Sequence, residues 1–235
     1  MSVGAVLDET WTLFTKFFMR FFTIAFAVLL VVNLVNAVLA EVVERERLGA
    51  VLLSLVFSAV SVVGTIWLQG AFVNAVRDAR DGSFDAGIGD VFRSVVPRLG
   101  TLVIVGLLAG IAIGVGFFLL IVPGLILLTI WAVVAPVVMV ENSGVGEAFG
   151  RSRALVRGYG LQVFAIILIT SLLTLVFGGL LTAVFAFLPA FLQNWLGASI
   201  AGAIVAPFSA IALTITYFKL REAHGEDEPV PPAPA

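Results

Sequence analysis

The chain has 235 residues, of which 61% are hydrophobic and 12% charged, with a net charge of −2, a pI near 5.4 and a mean hydropathy of +1.16. A soluble domain is about 45–50% apolar and about 25% charged, so too few charged side chains exist here to cover a water-facing surface, and the surplus apolar surface requires lipid. The same numbers exclude a disordered chain and a nucleic-acid binder, which needs a basic face; the absence of cysteine excludes a disulfide framework, a thiolate metal site and a thiol nucleophile.

A transmembrane helix needs about 20 mostly apolar residues to cross a hydrocarbon core of about 30 Å. Uncharged runs extend from Phe21 to Ala40, Leu48 to Val76, Leu99 to Val140 and Leu161 to Phe218. The third, as one helix at about 1.5 Å per residue, would be about twice the membrane thickness, so it must fold back. Pro123-Gly124 is its predicted turn, because proline lacks a donor and glycine accepts unusual backbone angles. In the fourth run Leu188-Pro189 with Gln193-Asn194 marks the reversal. The reading is an all-α polytopic membrane protein with six spans, at 21–40, 48–76, 100–121, 124–140, 161–186 and 197–218. Pro136 and Pro207 are expected to kink spans 4 and 6.

Lysine and arginine in short loops are retained on the cytoplasmic side. Eleven of them (Lys16, Arg20, Arg77, Arg80, Arg93, Arg98, Arg151, Arg153, Arg157, Lys219 and Arg221) fall on one side and two, Arg45 and Arg47, on the other. Both termini are therefore expected inside, in a cell (inner) membrane. A cleavable leader ending at Ala40 is the competing reading, and Asp8, Glu9 and the late cleavage point count against it.

Three stretches before spans 1, 3 and 5 have helical periodicity. The first carries Val3, Val6, Leu7, Trp11, Phe14, Phe17 and Phe18 on one face. The second carries Ile88, Val91, Phe92, Val95, Val96 and Leu99, and the third Val145, Ala148, Phe149, Ser152, Leu155 and Val156. Each is expected to lie as an amphipathic helix on the bilayer, with its arginines favouring anionic headgroups. Gly4-Ala5-Val6-Leu7, Gly89-Asp90-Val91-Phe92 and Gly146-Glu147-Ala148-Phe149 align loosely, which suggests three units of surface helix plus hairpin; the alternative is that any basic linker before a span looks this way. The acidic, proline-rich tail 223–235 is expected to be disordered.

Ionisable residues inside spans mark proton relays, ion sites or catalysis, and the span centres hold none. Gly87-Ile88-Gly89-Asp90 imitates an intramembrane aspartyl protease signature without a second aspartate in a span. Asp78, Asp81, Asp85 and Asp90 could hold a divalent cation in a lipid-modifying enzyme, but neighbouring arginines make a solvated mixed-charge loop the competing and better-supported reading. His224 is the sole histidine and sits in the tail. No cofactor or metal is expected. Asn33, Asn36, Ser58 and Ser61, with Ser54 and Thr65, form a polar stripe on spans 1 and 2, with Asn33 at the depth of Ser61; it either holds helices together or lines a solute path. Gly106, Gly110 and Gly114, and Ala198, Gly202, Ala206 and Ala210, are spaced for close helix approach within the monomer or in a dimer.

The stretch Val122-Pro123-Gly124-Leu125, Trp131, Ala135-Pro136, Glu141, Glu147-Ala148-Phe149 and Arg151-Ser152-Arg153 through Gly158 resembles the glycerophosphoryl diester phosphodiesterase membrane-domain family, over residues 85 to 175. The resemblance implies a six-span helical module in which Pro123, Gly124, Pro136, Glu141, Ser152 and Gly158 occupy recurrent positions. It does not imply phosphodiesterase activity, which in that family resides in a separate barrel domain with paired histidines. Glu141 is within reach of Arg151 or Arg153, so an ion pair and a headgroup or solute contact are its two readings. The leading functional expectation is a non-catalytic membrane scaffold or lipid-associated accessory module, with anionic lipid and a second copy or another membrane protein as partners. The alternatives are a permease for a small or amphipathic solute and, further off, the lipid-modifying enzyme.

Overall fold

A computed structural model describes residues 1–45, 49–80, 84 and 86–226. Its helices are α1 (Val3–Lys16), α2 (Phe18–Arg45), α3 (Gly49–Arg80), α4 (Ile88–Leu119), α5 (Ile121–Ile130), α6 (Val134–Glu141), α7 (Val145–Val156), α8 (Gly160–Val184), α9 (Ala190–Leu192) and α10 (Ala198–Ala223), with a π-helical turn at Gln193–Gly197 before α10. Among the described residues six helical stretches are long and apolar enough to cross a membrane, α5 with α6 and α9 with α10 each counting as one. α10 is the hub, touching α1, α2, α3, α6, α7 and α8, while α3 packs against α2, α4, α6 and α10. Phe21, Phe72, Ile211, Ile215 and Tyr217 are fully enclosed between them. α8 sits at the periphery and buries only Val163, Ile166 and Thr170.

The third uncharged run folds back, but three residues earlier than expected. Leu120 is the single extended residue between α4 and α5, a conformation open to any residue. Pro123 falls in the first turn of α5, where a missing N–H costs no hydrogen bond. Gly124 serves close approach: a Cβ there would lie 2.6 Å from the Phe117 ring and 2.8 Å from the Phe117 backbone nitrogen, and one on Gly116 would lie 3.0 Å from the Gly124 backbone. The two helices thus meet backbone to backbone directly below the turn.

Span 4 breaks at Trp131–Val133. The cause is Pro136, which has no N–H for the Ala132 carbonyl and whose ring crowds that carbonyl. Pro207, by contrast, is accommodated inside an uninterrupted α10. The last reversal lies at 185–189; Gln193 and Asn194, expected in the turn, belong to the helical entry into α10.

The three expected surface helices turn out differently. The second is not separate at all: Ile88 to Leu99 is the opening of the 32-residue α4, which runs through Pro97 without a break. α1 and α7 are separate, but protein covers their buried stripes. α1 buries Val6, Thr10 and Leu13, packs against α10 and α8 and sets Phe14 edge-on to Phe208 at 5.7 Å; Trp11 faces outward, 59% exposed. α7 packs on α6, α4, α5 and α10. In α7 the bundle covers much of the stripe assigned to lipid; in α1 it covers Val6, and the rest of the expected stripe is half-buried or exposed. The three-unit repeat loses its second member accordingly.

Candidate functional site

Two charged networks lie at one end of the bundle, and the broken fourth span organises the first. α7 is held against that span at three points. Trp131, at the break, meets Phe149 with ring centroids 4.8 Å apart. Val134 N–H bonds to the Trp131 carbonyl at 3.2 Å, which frees the Ile130 carbonyl that a continuous helix would have paired with Val134. The hydroxyl of Ser152, fully buried, donates to that carbonyl at 2.9 Å. Ser152→Ala leaves the carbonyl unsatisfied, at a cost of about 1–2 kcal/mol, and thermal unfolding in detergent should show that loss; an unchanged midpoint would mean the break is stabilised otherwise.

The third point is ionic. Arg151 Nε donates to both oxygens of Glu141, at 3.1 and 2.9 Å, and Tyr217 Oη donates to the same carboxylate at 2.9 Å. On its other edge the Arg151 guanidinium holds Glu226, with one contact of 3.0 Å and a second through Nη2. Glu226 lies 3.6 Å from Arg221 Nε. The hydrogen bond from Arg151 is the main cause that holds the Glu226 carboxyl below its ordinary value, and the bond to Glu226 is the main cause that raises Arg151 above its own. Of the two cations in reach of Glu141, the structure selects Arg151; Arg153 is exposed. Asn142, in the left-handed region at φ 57°, ends α6, and Gly158 at φ 89° follows α7, a conformation glycine adopts without penalty. Glu147 reaches back to the Gly144 N–H at 3.3 Å and caps α7.

A second network lies beside the first on α10. Arg80 bonds Glu9 at 3.0 Å and Glu222 at 3.2 Å, and Lys219 bonds the same two acids at 3.2 and 3.1 Å. It joins α1, α3 and α10, with the Arg80 guanidinium 4.3 Å over the Phe218 ring. The beginning of the expected disordered tail is therefore ordered: Ala223 ends α10, His224 stacks edge-on to Tyr159 at 5.7 Å, and Glu226 is locked to Arg151. Residues 227–235 lie outside the described part.

Of the acidic run, Asp78 accepts from the Ala86 N–H at 3.1 Å and Asp90 pairs with Arg93 at 3.4 Å on an exposed face; Asp81 and Asp85 lie outside the described residues. The polar stripe splits in two. Asn33 and Asn36, three residues apart and so about 60° apart in helical projection, face different neighbours. Ser61 donates to Asn36 at 2.9 Å, not to Asn33, which donates to Ser199 on α10 at 3.2 Å. Ser199 in turn bonds the Trp195 carbonyl at 2.6 Å, and Trp195 Nε1 donates to the Leu30 carbonyl at 3.0 Å. Ser58 is exposed on the outer face of α3. Of the spaced glycines on α4, only Gly106 meets a neighbour, Ile66; Gly110 and Gly114 face open space.

Sequence reasoning missed Tyr217 and the acids that complete the networks, Glu9, Glu222 and Glu226. Each lies at a span end or beyond it, where charge is unremarkable, and only the packing of α1, α6 and α7 on α10 brings them together. The lipid-length helices and their exposed apolar flanks define the chain as a polytopic α-helical membrane protein. No family model, curated protein or solved structure matches it.

Proposed function

We propose that this protein is a non-catalytic scaffold or lipid-associated accessory module of the cell (inner) membrane, similar in kind to the glycerophosphoryl diester phosphodiesterase membrane domain, a family whose chemistry resides in a separate barrel. One observation carries the reading: Glu9, Arg80, Glu141, Arg151, Lys219, Glu222 and Glu226 are engaged in two networks that tie together α1, α3, α6, α7 and α10. That use favours holding a surface together over acting on a substrate. The charged end faces the cytoplasm by the lysine and arginine bias, with both termini there. Because the chain has no cysteine, single cysteines at positions 45 and 151 test this side assignment directly. They should label from opposite sides, and labelling from one side would sink it.

The function itself is tested by extraction into native lipid discs with mass spectrometry of what accompanies the protein, alongside reconstitution into vesicles. Enrichment of particular lipids or membrane proteins, with no solute flux above protein-free vesicles, is expected. Saturable flux of a small or amphipathic solute would replace the scaffold with a permease.

A further inference from the structure

Among the described residues, Arg20 stands outside both networks and is held by neutral groups. Arg20, in the first turn of α2, donates from Nη1 to the Phe84 carbonyl, and its guanidinium lies 4.9 Å over the Phe84 ring. Phe84 is buried, 4% exposed, fixed by the rings of Phe17 and Phe21, each at 5.7 Å. A guanidinium has five N–H donors in a rigid fork; the bond to the neutral Phe84 carbonyl orients the group and uses one of the five.

Beside it opens a cavity of about 240 Å³ lined by Arg20, Ile24, Phe84, Ala86, Gly87 and Ile88. Apart from the guanidinium, the side chains of these described lining residues are apolar. That volume is below the about 300–1,000 Å³ of pockets that enclose a drug-sized ligand, so its occupant keeps much of itself outside. The cavity lies where α2 and α4 enter their membrane-spanning stretches, with Ile24 about one turn deeper than Arg20. A ligand that suits it has an anionic oxygen group at headgroup level and an apolar chain pointing inward.

We infer that this cavity binds the phosphate of an anionic phospholipid, with Arg20 taking the phosphate oxygens and the start of one acyl chain lying against Ile24 and Ile88. This rests on the reading of the protein as lipid-associated and names the lipid class and its place. Arginine suits the role because its fork matches phosphate geometry and it stays charged at any relevant pH.

The test uses the full chain in discs of phosphatidylcholine containing a minor share of phosphatidylglycerol, exchanged into detergent, with native mass spectrometry of retained lipid. Wild type is expected to retain phosphatidylglycerol above its bulk share. Arg20→Gln removes the charge, and Ala86→Leu fills the cavity while keeping Arg20 and the backbone N–H bonded to Asp78. Each should lower retention about tenfold, the scale of one charge-assisted hydrogen bond, while the helical circular dichroism at the assay temperature stays that of the wild type. Wild-type retention in both variants would overturn the site while leaving the lipid-associated reading standing; a wild type that retains no lipid beyond its bulk share would overturn both. Loss in Arg20→Gln alone would mean the charge acts without the cavity, which also overturns the site. Inorganic phosphate is the remaining arm: if it displaces the lipid at equal phosphate concentration, the occupant is a soluble phosphate and the lipid assignment fails.

Discussion

Gly124→Ala should destabilise the protein more than any other glycine-to-alanine change on the fourth and fifth helices, by about 2–3 kcal/mol, the upper part of the range for overpacking a filled site. The methyl group would sit 2.6 Å from the Phe117 ring and 2.8 Å from its backbone nitrogen. A ring can rotate away, but the backbone nitrogen moves only if α4 and α5 separate. That separation loses the Gly116 contact as well, since Gly116 and Gly124 face each other. Gly114→Ala is the matched control: nothing lies within 4 Å of the new methyl, and alanine favours a helix over glycine by up to about 1 kcal/mol. Unfolding in mixed micelles should therefore move in opposite directions for the two substitutions. Equal midpoints would mean that the hairpin is not closed at this point.

Arg151→Met is expected to cost about 2 kcal/mol. An exposed ion pair contributes about 0–1 kcal/mol, while breaking a buried one costs about 3–5 kcal/mol. Arg151, Glu141 and Glu226 lie between these limits, with side chains 28%, 20% and 33% exposed. The substitution leaves Glu141 with Tyr217 alone and Glu226 facing only Arg221 at 3.6 Å. Combined with Glu141→Gln the loss should be less than the sum of the two, because the variants remove one shared contact. Amide hydrogen exchange should rise in α7 and in the last turn of α10 but not in α4; a uniform rise would indicate global destabilisation instead. The pH dependence has a definite sign. Glu226 has its folded-state value depressed by Arg151, so its contribution is complete above the ordinary carboxylate value of about 4.3 and disappears as pH falls through the lower folded value. Arg151 stays charged throughout that range. In the Arg151→Met protein the acid-side loss should shrink.

Much of this architecture is legible in the chain because lipid imposes a length. About 20 apolar residues are needed per crossing, so the uncharged runs counted the spans correctly, and the overlong third run had to reverse. The position of the reversal was less legible. Pro123 and Gly124 each had two possible uses, in the turn or just after it, and the close packing of Phe117 and Gly116 against Gly124 decided for the second. Pro136 announced a break, yet its consequence, a bare carbonyl at Ile130 capped by Ser152, needed α7 to lie alongside.

The apolar stripe of α7, and Val6 on α1, show the limit most clearly. Periodicity established a covered face, but a lipid tail and a leucine side chain are equivalent covers as far as a hydropathy pattern can tell. The same holds for Asn33 and Asn36: both were visible as polar residues in a span, and only the placement of α3 and α10 around α2 gave them Ser199 and Ser61. The sequence by itself determined the solvent, the number of crossings and the concentration of charge at the span ends, because those follow from composition and run length. Tertiary structure alone decided which charges meet, since Arg151 joins residues 10 and 75 positions away and no local pattern encodes a contact that depends on where three helices end.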